Sequence, residues 1–418
     1  MSQRPLHATV FALAAAIALH GSSAASTYVV DVAGSGQFFD IPPAIAAAQD
    51  GDVLLVMPGN YSGFTADKGV TIIGYGAVVI QSSAAATGVG SSTHAALVNL
   101  RPPVLRVHDC AGAVIVQDFP VPLGQLEVTH SSDVRMRGVA VLTPRVHYTL
   151  HACTVEAARA EIVDSQLVAS QALMLPNFTH VDGGAGVQCN PFSRVHFVLS
   201  SSHGGAGSDT NQQFNMAGFG GAGIYEEAGA SLVIAGDASD VIQGGQNGVC
   251  LACSDCSYDG AGAGDGLDAY GQCAYSGASI LAQSYLFGHQ CLPDSSFAIV
   301  GNATQVVPDD PTLDISGTPS AGQTVTFTLH ADPGASAILF FGRQAIVVPD
   351  PNVEIELLTP KSRIVNLGTI PPSGVATFHW PINAGLSPGV FFVAQAEVTG
   401  PSSVGALRRT NSIPIVLR

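Results

Sequence analysis

The stretch from Gln37 to Tyr75 sets one short helix and two short strands between turns, and that order limits what the chain can build. Asp40 is a short acceptor placed to cap a helix, and Pro42 and Pro43 fall in its first turn, where a missing N–H costs nothing. Ile41, Ala44, Ile45 and Ala48 recur at helical spacing, so one face is apolar. Asp50-Gly51 ends the helix, because Gly accepts the positive φ of a tight turn. Residues 53–56 (Val-Leu-Leu-Val) then read as a fully apolar strand closed by Pro58-Gly59, and 70–74 as another of the same kind. A helix with one apolar face, leading into strand, turn and strand, suits the start of a parallel β-coil. The helix covers the open end of the core and each strand stacks on the last.

The stacking continues between Leu105 and Leu167. Residues 114–121 align over 134–141, and those over 160–167, with Leu105-Arg106-Val107, Leu126-Glu127-Val128 and Thr149-Leu150-His151 following upstream. A coil of roughly 20 to 26 residues is within the range of solenoid repeats. Val114, Val116, Val134, Met136, Ala160 and Ile162 are the expected inward positions, alternating with charged residues as one-sided strands require. Residues 194–199, 231–235 and 278–282 read as further strands. The Gly-rich segments 203–207 and 218–223 between them read as turns projecting from the stack.

The run from Val30 to Gly36, with Phe39-Asp40-Ile41, Ala44-Ile45, Ala48, Asp50-Gly51-Asp52 and Met57 to Tyr61, resembles the opening of right-handed parallel β-helix proteins of the pectin-lyase-like superfamily, pectin methylesterases among them. The resemblance covers about the first fifth of the chain and implies the fold. It implies no particular chemistry, since one fold hosts many functions. Of the signatures of the superfamily's esterases, Gln117-Asp118-Phe119 matches in part, without the Thr that should follow Asp. For galacturonase-like hydrolases, Asp209-Thr210-Asn211 runs in the wrong order and Gly288-His289-Gln290 is incomplete. No catalytic residue carries over.

Around this core the sequence organises into three parts. Residues 1–25 read as a signal peptide: Arg4, an apolar run from Val10 to Leu19, then small residues for cleavage at 22–25. No later run is long and apolar enough for a membrane span, which takes about 20 residues. Residues 26–307 are the expected right-handed parallel β-helix with its N-terminal capping helix. Residues 308–418, where cysteine disappears and short strands recur at 313–315, 324–329, 337–341, 376–380, 390–394 and 412–417, read as an Ig-like β-sandwich. The whole is all-β and is expected to be secreted or held at the cell surface. Its formal charge of −16 argues against nucleic acid or an anionic membrane as partner.

Eight cysteines in an exported chain argue first for disulfides. Cys110 and Cys153 fall two rungs apart in the alignment, at about 9.6 Å. Disulfides need Cα atoms within about 7 Å, so these two should not pair. Cys189, Cys250, Cys253, Cys256, Cys273 and Cys291 remain as candidates for three bridges. The spacing Cys250-x-x-Cys253 would also suit a thiolate metal site, although the neighbouring carboxylates are hard partners for soft ligands. Asp255, Asp259, Asp265 and Asp268 lie in a Gly-rich segment and could gather Ca²⁺ through oxygens; a solvated loop is the plainer reading. No other cofactor is expected.

Asp118 and Asp164 occupy matching positions two rungs apart, with Gly138 between them and Arg137 beside it. At about 9 to 10 Å such carboxylates could serve as acid and base of an inverting glycosidase; Asp also follows strands simply because it favours turns. Two function classes follow. One is a non-catalytic exported β-helix whose side face binds glycan or another surface component. The other is a polysaccharide-active enzyme of esterase, lyase or hydrolase type with a diverged site.

Overall fold

The computed structural model describes residues 25–146, 148–173, 180–209, 217–247, 263–282, 297–306, 311–348, 355–400 and 407–418. Asp40 accepts from the Ile41 N–H, Pro42 and Pro43 occupy the first turn, and the helix Ile41–Ala47 buries Ile41, Ala44 and Ile45. Lys68 Nζ donates to the carbonyls of Ile45, Ala46 and Ala48 at 3.0, 3.1 and 2.8 Å, satisfying acceptors at the end where no further helical turn does so.

From Thr27 to Gln305 the strands form one large parallel sheet in which strands pair with those a coil earlier and a coil later, while Gly59–Tyr61 and Val78–Ile80 form a separate two-stranded parallel sheet. This pairing is consistent with a β-helix. One ladder runs through Thr27–Val30, Val53–Val56, Thr71–Gly74, His94–Val98, Ala113–Leu123, Asp133–Leu142, Arg159–Val163, Arg194–Val198 and Ser231–Ala235. A second runs through Phe64–Ala66, Ala84–Thr87, Val104–His108, Gln125–Thr129, Cys153–Glu156, Val187–Cys189, Ile224–Glu226 and Leu267–Ser276. The expected register holds in the first ladder: Val114 pairs with Val134 and Val134 with Ala160, while Val116 pairs with Met136 and Met136 with Ile162. All six side chains are buried in one continuous core. The upstream alignment fails in its third coil. Leu126 pairs with Cys153 and not with Thr149, because residues 143–146 and 148–152 lie outside the strands.

The Gly-rich segments are packed and not projecting. Residues 181–186, 204–208, 217–223, 244–247 and 263–266 lie side by side outside any strand ladder. Gly205 donates to the Gly184 carbonyl, Gly221 to Gly205, Gly245 to Gly221 and Gly264 to Gly245, at 2.7 to 2.8 Å. Segment 217–223 also bonds to 181–186 through Gly183, so single segments have several hydrogen-bonded neighbours. A Cβ on Gly221 would lie 2.1 Å from the Gly184 oxygen, and on Gly264 1.9 Å from the Gly221 oxygen. Only glycine permits this approach, and the N–H···O bonds between segments supply the cohesion that side chains give elsewhere.

Beyond residue 311 the strands are antiparallel. Thr312–Ser316, Thr324–His330 and Val375–Pro381 form one sheet; Ser336–Val348, Ile355–Thr369, Phe391–Thr399, Leu407–Arg409 and Ile413–Val416 form the other. Their facing sides share a core that includes Leu313, Phe327, Leu339, Phe341, Phe392 and Ile415, with Trp380 packed against it, consistent with a β-sandwich. The strand Ile355–Thr369 is not among those expected from the sequence. Among the described residues, no helix is long and apolar enough to cross a membrane.

Candidate functional site

The strands of the first ladder end or bend at residues with positive φ: Asn99 at 54° and Asp164 at 47° follow their strands, while Asp118 at 55° and Gly138 at 62° bend Ala113–Leu123 and Asp133–Leu142. Gly, Asn and Asp tolerate this left-handed conformation best, so the column Asp118–Gly138–Asp164 has a backbone reason to exist. The structure thus places Asp118 and Asp164 at equivalent bends, with Arg137 next to Gly138 in the intervening strand.

The surroundings of these groups come from both domains. Arg137 Nη2 stands 3.0 Å from Asp118 Oδ1, and Arg418 Nη2 donates to Asp118 Oδ2 at 2.5 Å. Gln117 Nε2 adds a 3.0 Å bond to Asp118 Oδ2. Burial, the Asp314 charge from the C-terminal domain and the Asp118 charge push the Asp164 carboxyl up to about 6, with Arg137 opposing them. Asp240 is likewise pushed up to about 6, first by burial and then by the charges of Asp237, Asp164 and Asp314.

The outer face of the same ladder is covered by the end of the chain. Gln117 Oε1 accepts from the Val416 N–H at 2.9 Å. Glu161, fully buried, accepts from the Ser412 N–H and Oγ at 3.0 and 2.9 Å, and Arg135 Nη1 donates to Ser412 Oγ at 2.5 Å. Arg135 and Arg159 both bond Asp133, at 3.0 and 2.8 Å. Farther along, Val53, Ile73, Ala96, Val98 and Ile115 form an apolar patch closed by Val416 and Phe391, with the His94 and Phe391 rings 4.9 Å apart. In the sequence Arg135, Glu161 and Gln117 read only as charged or polar residues between inward positions.

The other candidates are more scattered. Asp265 and Asp268 do come together: burial, the Asp265 charge and a hydrogen bond with Asp265 push the Asp268 carboxyl up to about 7. Asp265 also accepts from the Phe297 N–H. Asp255 and Asp259 lie outside the described residues, and among the described residues no three ligating side chains converge on a metal position. Cys189 and Cys273, expected in bridges, are free and buried, as are Cys110 and Cys153. Cys189 is stacked between Val155 and Glu226, and Cys273 sits beside Leu232, so both point into the core on different ladders. Burial pushes the Cys153 and Cys273 thiols up to about 12. Cys250, Cys253, Cys256 and Cys291 lie outside the described residues.

A second polar surface stands on the outer side of the second ladder. Gln188, Tyr225 and Asp268 are successive outward residues in one column. Tyr270, two residues after Asp268, brings its ring centroid to 6.0 Å from that of Tyr225. Gln188 Nε2 donates to Glu227 Oε1 at 3.2 Å. Alternation of apolar and polar residues marks these as outward positions, but nothing in the sequence sets them apart.

Compared with known proteins, the chain matches no protein-family model and no curated protein.

Proposed function

We propose that the protein is an exported, non-catalytic right-handed parallel β-helix, its first helix covering the open end of the core, which holds a glycan or another cell-surface component on its exposed side wall. One observation carries this reading: Asp118, the better placed of the two candidate carboxylates, is committed to Arg137 and Arg418, and the adjoining outer face is filled by residues 412–418. A carboxylate held by two guanidiniums next to a covered sheet has the features of a domain joint, where buried charges are paired. The C-terminal sandwich then acts as a rigid extension of the stack.

One feature favours the alternative of a carbohydrate-active enzyme. Asp164, whose carboxyl burial pushes up to about 6, is a raised carboxyl of the kind a general acid uses. Both readings are tested by incubating the protein with a panel of pectins, neutral glycans and cell-wall preparations. Retention on one of them without release of reducing ends, unsaturated products or methanol is expected. Product release that is lost in Asp164→Asn would establish the enzyme instead.

A further inference from the structure

Tyr225 and Tyr270 are an aromatic pair displayed on a rigid parallel stack, away from the face that the C-terminal domain occupies. Tyr270 is 51% exposed, while its neighbours Leu267 and Ala269 are buried and fix the strand that carries it. Phe192, 80% exposed, sits in the turn one coil before that of Gly229 and is tied to it through the bond from the Phe192 N–H to the Gly229 carbonyl. The polar groups beside the tyrosine pair are acceptor-rich. Asp268 Oδ1 is buried and has no hydrogen-bond partner, and Glu227 stands on the adjoining turn. That oxygen is enclosed and its carboxyl already shares a hydrogen bond with Asp265, so the acceptors open to a donor from outside, beside the exposed rings, are those of the half-buried Glu227 and Gln188.

Resting on the function proposed above, we propose that Tyr225, Tyr270, Asp268, Glu227 and Gln188 form a subsite for a neutral oligosaccharide. A sugar ring presents a C–H face to an aromatic ring and hydroxyl donors around its edge, and it meets both halves of the patch. Carboxyl and amide oxygens accept from those hydroxyls. A chain with 31 acidic against 15 basic residues repels polyanions at longer range. The ligand is therefore a neutral glycan and not an acidic pectin backbone.

The test is affinity electrophoresis of the full chain in gels containing galactomannan, hydroxyethylcellulose or polygalacturonate. Retardation by at least one neutral polymer and none by polygalacturonate is expected, with retardation falling at least fivefold in Tyr270→Ala and in the Tyr225→Ala/Tyr270→Ala pair. Tyr270→Phe should keep most of it, and Phe39→Ala, another exposed aromatic, all of it. Because Tyr270 is exposed, its single variant should fold even where the double does not. Retardation by neutral polymer that persists in Tyr270→Ala overturns the subsite and leaves the function proposal standing. Stronger retardation by polygalacturonate overturns the ligand class. Absence of retardation by every polymer overturns the subsite and removes the glycan from the function proposal too.

Discussion

Arg418 Nη2 lies 2.5 Å from Asp118 Oδ2, a contact between residues 300 positions apart. Asp118 is held in the left-handed region by its place at a bend of its strand, so its side chain starts from a fixed backbone. Arg137 takes the other carboxylate oxygen. The last residue of the chain is thus fastened to the middle of the parallel stack, and the strand Ile413–Val416 before it lies along the outer face. The antiparallel sheets and the parallel stack are joined by the side-chain bonds of this seam.

Within that seam, burial decides which contact matters. Glu161 is fully buried and bonds Ser412 twice, so Glu161→Ala should cost about 1 to 3 kcal/mol for each of the two Ser412 donors it leaves without an acceptor. Arg418 is partly exposed, and Arg418→Ala should cost about 1 kcal/mol or less. Denaturant unfolding of both variants checks the ordering. Equal midpoints would mean that the seam adds nothing to stability.

How much of this could be read from the chain follows from where side chains carry the signal. The six inward positions from Val114 to Ile162 are legible because alternation reports one-sided burial. The covered outer face is half legible. Val53–Val56 is apolar on both sides, and strands buried on both faces read as unbroken apolar runs. Nothing local names the segment that covers them, since Ser412 and Glu161 are 251 positions apart. The packed glycine segments are invisible to periodicity, because residues without side chains have no faces to alternate.

Those glycine segments predict a sharp contrast. Gly264→Ala puts a Cβ 1.9 Å from the Gly221 carbonyl oxygen, against backbone that cannot yield without breaking the neighbouring bonds. Gly88→Ala meets nothing within 4 Å and pays only for a positive φ of 65°, about 1 to 2 kcal/mol. Thermal unfolding should show Gly264→Ala far below Gly88→Ala. A Gly264→Ala protein as stable as Gly88→Ala would mean that the segments do not pack as close as described.

The four described thiols predict a labelling pattern. Cys110, Cys153, Cys189 and Cys273 are free and buried, and burial pushes their thiols up, Cys189 with help from the charges of Cys153, Glu226 and Cys273. Low thiolate fraction and lack of access both suppress alkylation. Peptide mapping after iodoacetamide treatment should find these four unmodified in native protein and modified in denaturant without reductant. Failure of Cys189 and Cys273 to label in denaturant would show that they are bridged after all.

Glu226 projects into the core between Cys189 and Ala269, where burial pushes its carboxyl up to about 7 against the backbone N–H of Gly271 and Gln272. Oε1 has no partner. In the unfolded chain the same group ionises near its ordinary 4.5, so the stability of its neutral form is complete below 4.5 and is lost as pH rises towards 7. Glu226→Gln should remove this slope. Melting temperatures at pH 4.5 and 8 measure it, and an unchanged difference between the two would exclude Glu226 as its source.

Asp164 gives the corresponding prediction at the domain seam. Its carboxyl is pushed up to about 6 from an ordinary 3.8, by burial first, then by Asp314, with Asp118 adding to this and Arg137 opposing it. Because the folded value is raised, the unfolded chain loses the proton first. The stabilising contribution of the neutral form is therefore full below 3.8, declines as pH rises through the interval up to 6, and is gone above it. Asp164→Asn stays neutral throughout and tolerates the same left-handed turn. Its melting temperature should match the wild type near pH 4 and exceed it at pH 7. Asp240→Asn should behave alike, and the two gains should fall short of additive, since the Asp164 charge is one of those that raise Asp240. An Asp164→Asn protein that melts below the wild type at pH 7 would mean that Arg137 holds the ionised carboxylate more strongly than burial opposes it.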